Sequence, residues 1–171
     1  ELAKTVIESG LLTDAGDRYA LVGPLPPLAI PSTLHDSLMA RLDRLASVKE
    51  VAQIGACIGR EFDHLLLAAV ADRPEPELVA ALAELAASEL IFRRGAAPNA
   101  TYAFKHALVR DAAYESLLKS RRQQIHARIV AAIETGFPEI AAARPEIVAH
   151  HCAAAGLGEP AIDYWEKAGE I

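Results

Sequence analysis

The sequence predicts a mainly α-helical chain interrupted by a β-hairpin, on three observations. Apolar residues recur three or four positions apart over most of its 171 residues, the spacing that gathers them on one face of a helix. Two-residue alternation is clearest over residues 90–105. There Leu90, Phe92 and Arg94 alternate with Ile91 and Arg93, six residues rich in Gly, Pro and Asn intervene, and residues 101–105 alternate again with Tyr102 and Phe104 on one side. From His106 the helical period returns at once, with Leu108, Val109, Ala112, Ala113, Leu117 and Leu118 as the apolar stripe.

Each element follows from local chemistry. Residues 1–9 are helical by composition, with Gly10 as C-cap and no cap before Glu1, which reads as the tail of a helix cut from something longer. Residues 11–13 and 18–22, either side of Asp14-Ala-Gly-Asp17, suit a small hairpin. Residues 23–31 carry four prolines and must be extended, since each proline lacks a donor and turns its predecessor away from helix. Ser32 or Thr33 then caps a helix bearing Leu34, Leu38, Leu42 and Leu45, with Asp36 completing a variant capping box. Residues 48–58 are apolar nearly all round, which predicts a central, buried helix ended by Gly59-Arg-Glu-Phe62. Asp63 caps a short helix over 65–71, and Asp72-Arg-Pro74 stops it.

A third helix begins near Glu75, with Glu75 and Glu77 at its positive end, and buries Leu78, Leu82 and Leu85. Three short helices feeding a two-stranded hairpin make a winged helix. After the hairpin and its following helix, residues 120–133 form another helix with Ile125, Ile129 and Ile133 four apart, ended by Gly136-Phe-Pro138. Pro145 opens a helix over 147–155, Gly156 closes it, and a partner helix runs from Glu159. Ala161, Trp165 and Ala168 with Gly156 at the turn look like one unit of a tetratricopeptide-type array. The organisation expected is 1–31 as helical tail and proline-rich linker, 32–118 as winged helix, and 119–171 as helical linker and start of the repeats.

Composition narrows the function. Hydrophobic residues at 52% are ample for a core, and neither a bilayer-length apolar run nor a secretory leader is present, so a cytoplasmic protein without membrane contact is expected. Cys57 and Cys152 stand far apart without CxxC spacing and read as buried free thiols. The net charge of -6 argues against general affinity for nucleic acid, but it is unevenly spread. Between Arg93 and Arg128, eight Lys or Arg stand against Asp111 and Glu115, which leaves 9 basic against 21 acidic residues elsewhere. The third helix of the winged helix, which would enter a DNA groove, exposes Glu75, Glu77, Glu84, Ser88 and Glu89 and carries no Lys or Arg, so it would repel phosphate.

No phosphate-binding P-loop, Rossmann glycine fingerprint or nucleophile elbow occurs, so no catalytic constellation is expected in this chain. His150-His151-Cys152 has metal-ligand residue types, but adjacent helical positions point about 100° apart and do not close one tetrahedral site. One histidine in the repeat interface and one exposed is the simpler expectation, with no metal. His106 and Arg110 share one face of the first turn of their helix beside Lys105, where free amides and the positive dipole end suit a phosphate or carboxylate. The alternative is that His106 caps or packs on the hairpin while Arg110 pairs with Asp111 or Glu115. Arg121 and Arg122 with Lys119, together with Arg93 and Arg94, form a basic band that is either solvated or a dock for an acidic partner.

IPSTLHDSLMARLDRL, the IGREF of residues 58–62, ATYAFKHALVRDAAYESLL at 100–118 and IVAHHCAAAGLGEPAIDYWEKAG resemble the region downstream of the ATPase core in bacterial signal-transduction ATPases with numerous domains. These large regulators are often described as adenylate or guanylate cyclases or as predicted ATPases with tetratricopeptide repeats. The resemblance covers nearly the whole chain and is most specific at FKHALVRDAAY. It implies an upstream ATPase core in cis holding ATP or ADP with Mg, an N-terminal class III cyclase or kinase, and an unidentified protein partner on the repeats. It also implies a switch in which His106 contacts the ADP phosphate and holds the closed state, although the motif around His106 is not the Met-His-Asp of animal and plant relatives. The expectation is a regulatory module that couples partner sensing to nucleotide state; the alternative is a DNA-binding winged-helix transcription regulator.

Overall fold

A computed structural model describes residues 12–14, 19–21, 38, 39 and 42–170. The expected N-terminal helix, the proline-rich stretch and the cap at Ser32 or Thr33 lie outside these residues. Contacts divide the chain into residues 1–34 and 35–171. In the first unit, β1 (Leu12–Asp14) pairs antiparallel with β2 (Tyr19–Leu21), with Leu12 opposite Leu21 and Asp14 opposite Tyr19. The small hairpin is present over these described residues.

The second unit is mainly helical around a small antiparallel sheet. Its elements run α1 (Ala46–Ile58), β3 (Glu61–Asp63), α2 (His64–Ala71), α3 (Glu75–Ala87), β4 (Ile91–Arg94), β5 (Thr101–Phe104), α4 (Ala107–Glu115), α5 (Lys119–Gly136), α6 (Pro138–Ala143), α7 (Pro145–Ala155) and α8 (Gly158–Gly169). The helix expected to be buried all round is α1. Val48, Val51, Ala52, Ile54, Ala56 and Cys57 are buried, and α2, α3, α4, α5 and β3 all pack on it. Leu42 is also fully buried, and Leu38, Met39 and Leu45 pack against the same core.

The sheet has the order β3-β5-β4. Sequence reading treats residues 59–62 as a helix stop and misses β3, because three residues are too few to show a period. Phe62 lies opposite Tyr102 and stacks on it at 5.7 Å, and it also meets Phe104 at 5.7 Å. Along β5, Tyr102 and Phe104 are buried while Thr101 and Ala103 are less so, as alternation requires. On β4 the alternation fails: Leu90 and Ile91 are both buried while Phe92 is 53% exposed. Glu89, in the left-handed region at φ 56°, turns the chain there, and β4 is an edge strand with only Ile91 reaching the core.

Asp63 occupies the N-cap position of α2, but its carboxylate does not cap the helix; Oδ1 accepts the Thr101 hydroxyl at 3.0 Å across the sheet. The strand pairing claims the side chain first. Leu118, assigned to the stripe of α4, is instead 77% exposed, because α4 ends at Glu115 and Leu118 is the N-cap residue of α5. Ile125, Ile129 and Ile133 are fully buried in the same cluster as α1, so the core runs without a break past residue 118. The segment after Gly136, unassigned by sequence, holds the short helix α6. Gly156 ends α7 in the left-handed region at φ 83°, and α8 turns back against α7 with Ala161 buried.

Gly55 of α1 is a close-approach position: a Cβ there would lie 2.8 Å from the Phe62 ring, which is itself clamped between Tyr102 and Phe104. Gly55→Val is therefore expected to lower the unfolding free energy, read from a urea titration, by about 2 kcal/mol. Gly136→Ala, whose Cβ would meet nothing within 4 Å, is expected not to lower it.

Candidate functional site

A half-open cleft of about 630 Å³ lies where the end of α1 and the entry to β3 face α4 and the start of α7. Ala56, Ile58 and Ile147 supply apolar wall, and Arg60, Arg110 and Arg144 bring three guanidinium groups from three parts of the chain. Tyr114, His126, His150 and His151 supply polar surface, and Glu61 and Glu146 stand at the exposed side. Cys57 also lines the cleft, but burial pushes its thiol up to about 12, against the opposing pull of Arg122 and Arg110. It is protonated at neutral pH and is not a nucleophile in this state.

The floor is a hydrogen-bonded row. Tyr114 Oη lies 3.2 Å from His126 Nε2, and His126 Nδ1 lies 2.9 Å from His151 Nδ1. Both imidazoles are buried, at 1% and 2% exposure. Burial, then the neighbouring His150 and Arg122, lowers His126 to about 4; burial, then His126 and His150, lowers His151 to about 3. The two Nδ1 atoms share one proton, so one ring donates and the other accepts. If Tyr114 donates to His126 Nε2, His126 Nδ1–H donates to His151; the reverse polarity leaves the Tyr114 hydroxyl proton free for another acceptor.

The run at 150–152 divides as helical geometry requires: His151 and Cys152 are buried and His150 is exposed at the cleft. Among the described residues, no three His, Cys, Asp or Glu side chains are grouped to hold a metal ion.

The residues singled out from the sequence occupy different surroundings. His106 is the exposed N-cap residue of α4 and makes no side-chain bond to the helix start. Lys105 Nζ is 3.3 Å from a Glu89 carboxylate oxygen and 5.6 Å from the centre of the Phe92 ring. Arg110 lines the cleft, with its nearest carboxylate, Asp111, at 3.6 Å and the Tyr114 ring at 6.0 Å. The three therefore do not converge on one point: Arg110 belongs to the cleft, and Lys105 and His106 are not among its lining residues.

The basic band also divides. Arg93 and Arg94 on β4 and Lys119 at the start of α5 are exposed. Arg121 donates to Glu50 of α1 at 2.9 Å, and Arg73 donates to the other Glu50 oxygen at 3.0 Å. Burial raises the Glu50 carboxyl, but these two hydrogen bonds and charges outweigh it and bring it below its ordinary value. Arg122 lies 5.0 Å over the Tyr114 ring. Its Nε, like that of Arg110, is buried without an acceptor among the described residues.

Sequence reasoning missed two histidines. His126 falls one residue from the isoleucine row, and with Ile129, Val130 and Ile133 it forms an equally good helical stripe, so its burial was legible. Its pairing with His151, 25 positions away, was not. His64 is fully buried and bonds Glu75 at 2.6 Å, tying the start of α2 to that of α3, while its other ring nitrogen is 3.4 Å from Tyr102 Oη.

The chain is 28% identical over 140 residues to an uncharacterized protein of Rhizobium meliloti (strain 1021), a match covering 81% of this chain and 14% of that relative. It thus spans about one seventh of the relative's length. No family model and no solved structure matches the chain.

The histidine pair sets an acid limit on the fold. Both rings titrate near 6.5 when free but near 4 and 3 here, so between those values the unfolded chain binds more protons. Stability is full above pH 6.5 and falls as pH drops toward 4; at about 1.4 kcal/mol for each tenfold change in proton affinity, the total loss is several kcal/mol. Glu50, with its lowered pKa, adds a loss of the same sign that begins lower, as pH falls through its ordinary 4.5. Thermal melts from pH 7.5 to 4 are expected to show the decline starting near 6.5, and His151→Gln is expected to make the part above pH 5 about half as steep, His126 still contributing.

Proposed function

We propose that this chain is the regulatory winged-helix and helical-repeat module of a multidomain bacterial signal-transduction ATPase, one linked to a class III adenylate or guanylate cyclase. Its role is to couple a protein partner, bound on a tetratricopeptide-like array begun by α7 and α8, to the state of ATP or ADP held with Mg on an upstream core. The order helix, strand, two helices and hairpin, with β3 pairing β5 beside β4, supports the winged-helix part of this reading. A match to 14% of a much longer relative supports a multidomain setting. No helix among the described residues is long and apolar enough to cross a membrane.

The observation that carries the coupling role is the continuity of packing from α1 to α7. Arg121 of α5 is bonded to Glu50 of α1, Arg128 donates to the Val70 carbonyl at the end of α2, and α5 in turn packs on α7. A load on α7 and α8 is therefore passed through packed helices to α1 and, by way of β3, to the β4–β5 hairpin, because close-packed interiors shift as units. His106, exposed at the head of α4, is free to meet a neighbouring domain.

One observation favours the alternative of duplex binding: Arg93 and Arg94 are exposed on the β4 edge. Against it, the exposed acids of α3 and the adjoining turn include Glu77, Glu84 and Glu89, and α3 holds no cation. Fluorescence anisotropy with a labelled duplex at about 50 to 200 mM salt is expected to show no saturable binding. Saturable, salt-sensitive binding lost in Arg93→Gln/Arg94→Gln would favour the alternative. In the longer ATPase, His106→Ala is expected to weaken ADP retention by about tenfold, the worth of one charge-assisted contact, while Arg94→Ala leaves it unchanged; equal retention in both would sink the phosphate-sensing role.

A further inference from the structure

We propose that the cleft between α1, α4 and α7 is a binding site for a small organic oxyanion, a phosphoryl or carboxylate group on a compact body, held by Arg60, Arg110 and Arg144. It is separate from any contact His106 makes, and it does not rest on the regulatory reading. Three features of the walls carry it. First, three arginines line the cleft, from the β3 entry, from α4 and from the residue before α7, and outnumber its two carboxylates, Glu61 and Glu146, in a molecule whose net charge is -6. This local excess of arginine runs against the background charge, and the planar fork of arginine matches both carboxylate and phosphoryl oxygens.

Second, these cations are not consumed by the fold. Arg60 has no side-chain partner among the described residues. Arg110 has one carboxylate contact, at 3.6 Å, and a buried Nε without an acceptor. Arg144 meets Glu146 at 3.4 Å with both side chains largely in water. Arg121 and Arg73 differ: they are held at 2.9 and 3.0 Å by Glu50 and tie helices together. Long, solvated, single-oxygen pairs such as those of Arg110 and Arg144 are displaced by a bidentate anion at little cost.

Third, the remaining surface suits an organic body with hydrogen-bonding groups. At about 630 Å³ the cleft is in the size range of small-molecule sites, larger than inorganic phosphate needs. Ala56, Ile58 and Ile147 give apolar contact. The Tyr114–His126–His151 row can present a hydroxyl donor or acceptor by reversing its shared protons, so it adapts to either kind of ligand atom. The first turn of α7, which has no side-chain cap and carries Glu146, borders the cleft on the other side.

The test is a titration of the 171-residue chain with glycerol 3-phosphate and, separately, with glycerate, at ionic strength held constant with NaCl. The imidazole Cε1–H resonances of His126, His150 and His151 are followed by NMR. A saturable shift with a Kd below about 1 mM is expected for at least one probe; the tighter probe identifies phosphoryl or carboxylate as the recognised group. That Kd should rise at least about tenfold in Arg60→Gln and in Arg110→Gln and stay unchanged in Arg94→Gln. Arg60 is exposed, so Arg60→Gln tests the site even if Arg110→Gln disturbs the packing on Tyr114. Shifts that stay linear with both probes, or a Kd indifferent to Arg60→Gln, would overturn the proposal.

Discussion

The burial of α1 is the constraint on which the second unit depends. A helix with Val48, Val51, Ile54 and Cys57 spread over more than one face presents apolar surface on most of its sides, so it is stable only when largely surrounded. The rest of the unit answers that demand. α2, α3 and α5 cover it with leucines and isoleucines, α4 with small alanines that allow close approach, and β3 with Phe62 seated on Gly55. Even the polar edge of α1 is used, since Glu50 collects Arg73 and Arg121 from two flanking parts of the chain.

The division of the basic residues follows from that packing. Along the chain, Arg93 to Arg128 form one positive stretch, but helices turn neighbouring positions away from one another. Arg121 and Arg122, adjacent in sequence, go to Glu50 and to the Tyr114 ring respectively. Arg110 goes to the cleft, and Lys105 to Glu89. Conversely Arg60 and Arg144, which lie outside the stretch, are brought into the cleft with Arg110 because β3 leaves α1 at one rim and α7 begins at the other. A cationic surface assembled this way is local and shaped, suited to a small anion more than to a rod of regularly spaced phosphates.

The buried imidazoles show a second consequence of the continuous core. His126 and His151 each leave one nitrogen's needs to the other and so remain neutral inside a hydrophobic contact between α5 and α7. A hydrophobic pair there would hold the helices with less sensitivity to acid. The polar pair instead joins the helix contact to the cleft through Tyr114, so occupancy of the cleft and the seating of α7 share one hydrogen-bond row.

By itself the sequence determined most of the described helices, the hairpin strands and most of the core, because period and end signals are local: the isoleucine row of α5, the leucines of α3, Pro145 at the head of α7 and Gly156 at its foot each act within a turn or two. It also located the split between a buried and an exposed histidine at 150 and 151, which follows from about 100° per residue. Tertiary structure alone decided that Glu61–Asp63 is a strand, since three residues become one only when Tyr102 lies opposite Phe62. It alone decided that Asp63 serves Thr101 instead of its helix, and that Arg121 is spent on Glu50 while Arg60 and Arg110 face the cleft. Those choices depend on distances between residues tens of positions apart, and such distances are set by packing around α1, a quantity no local pattern of residue types contains.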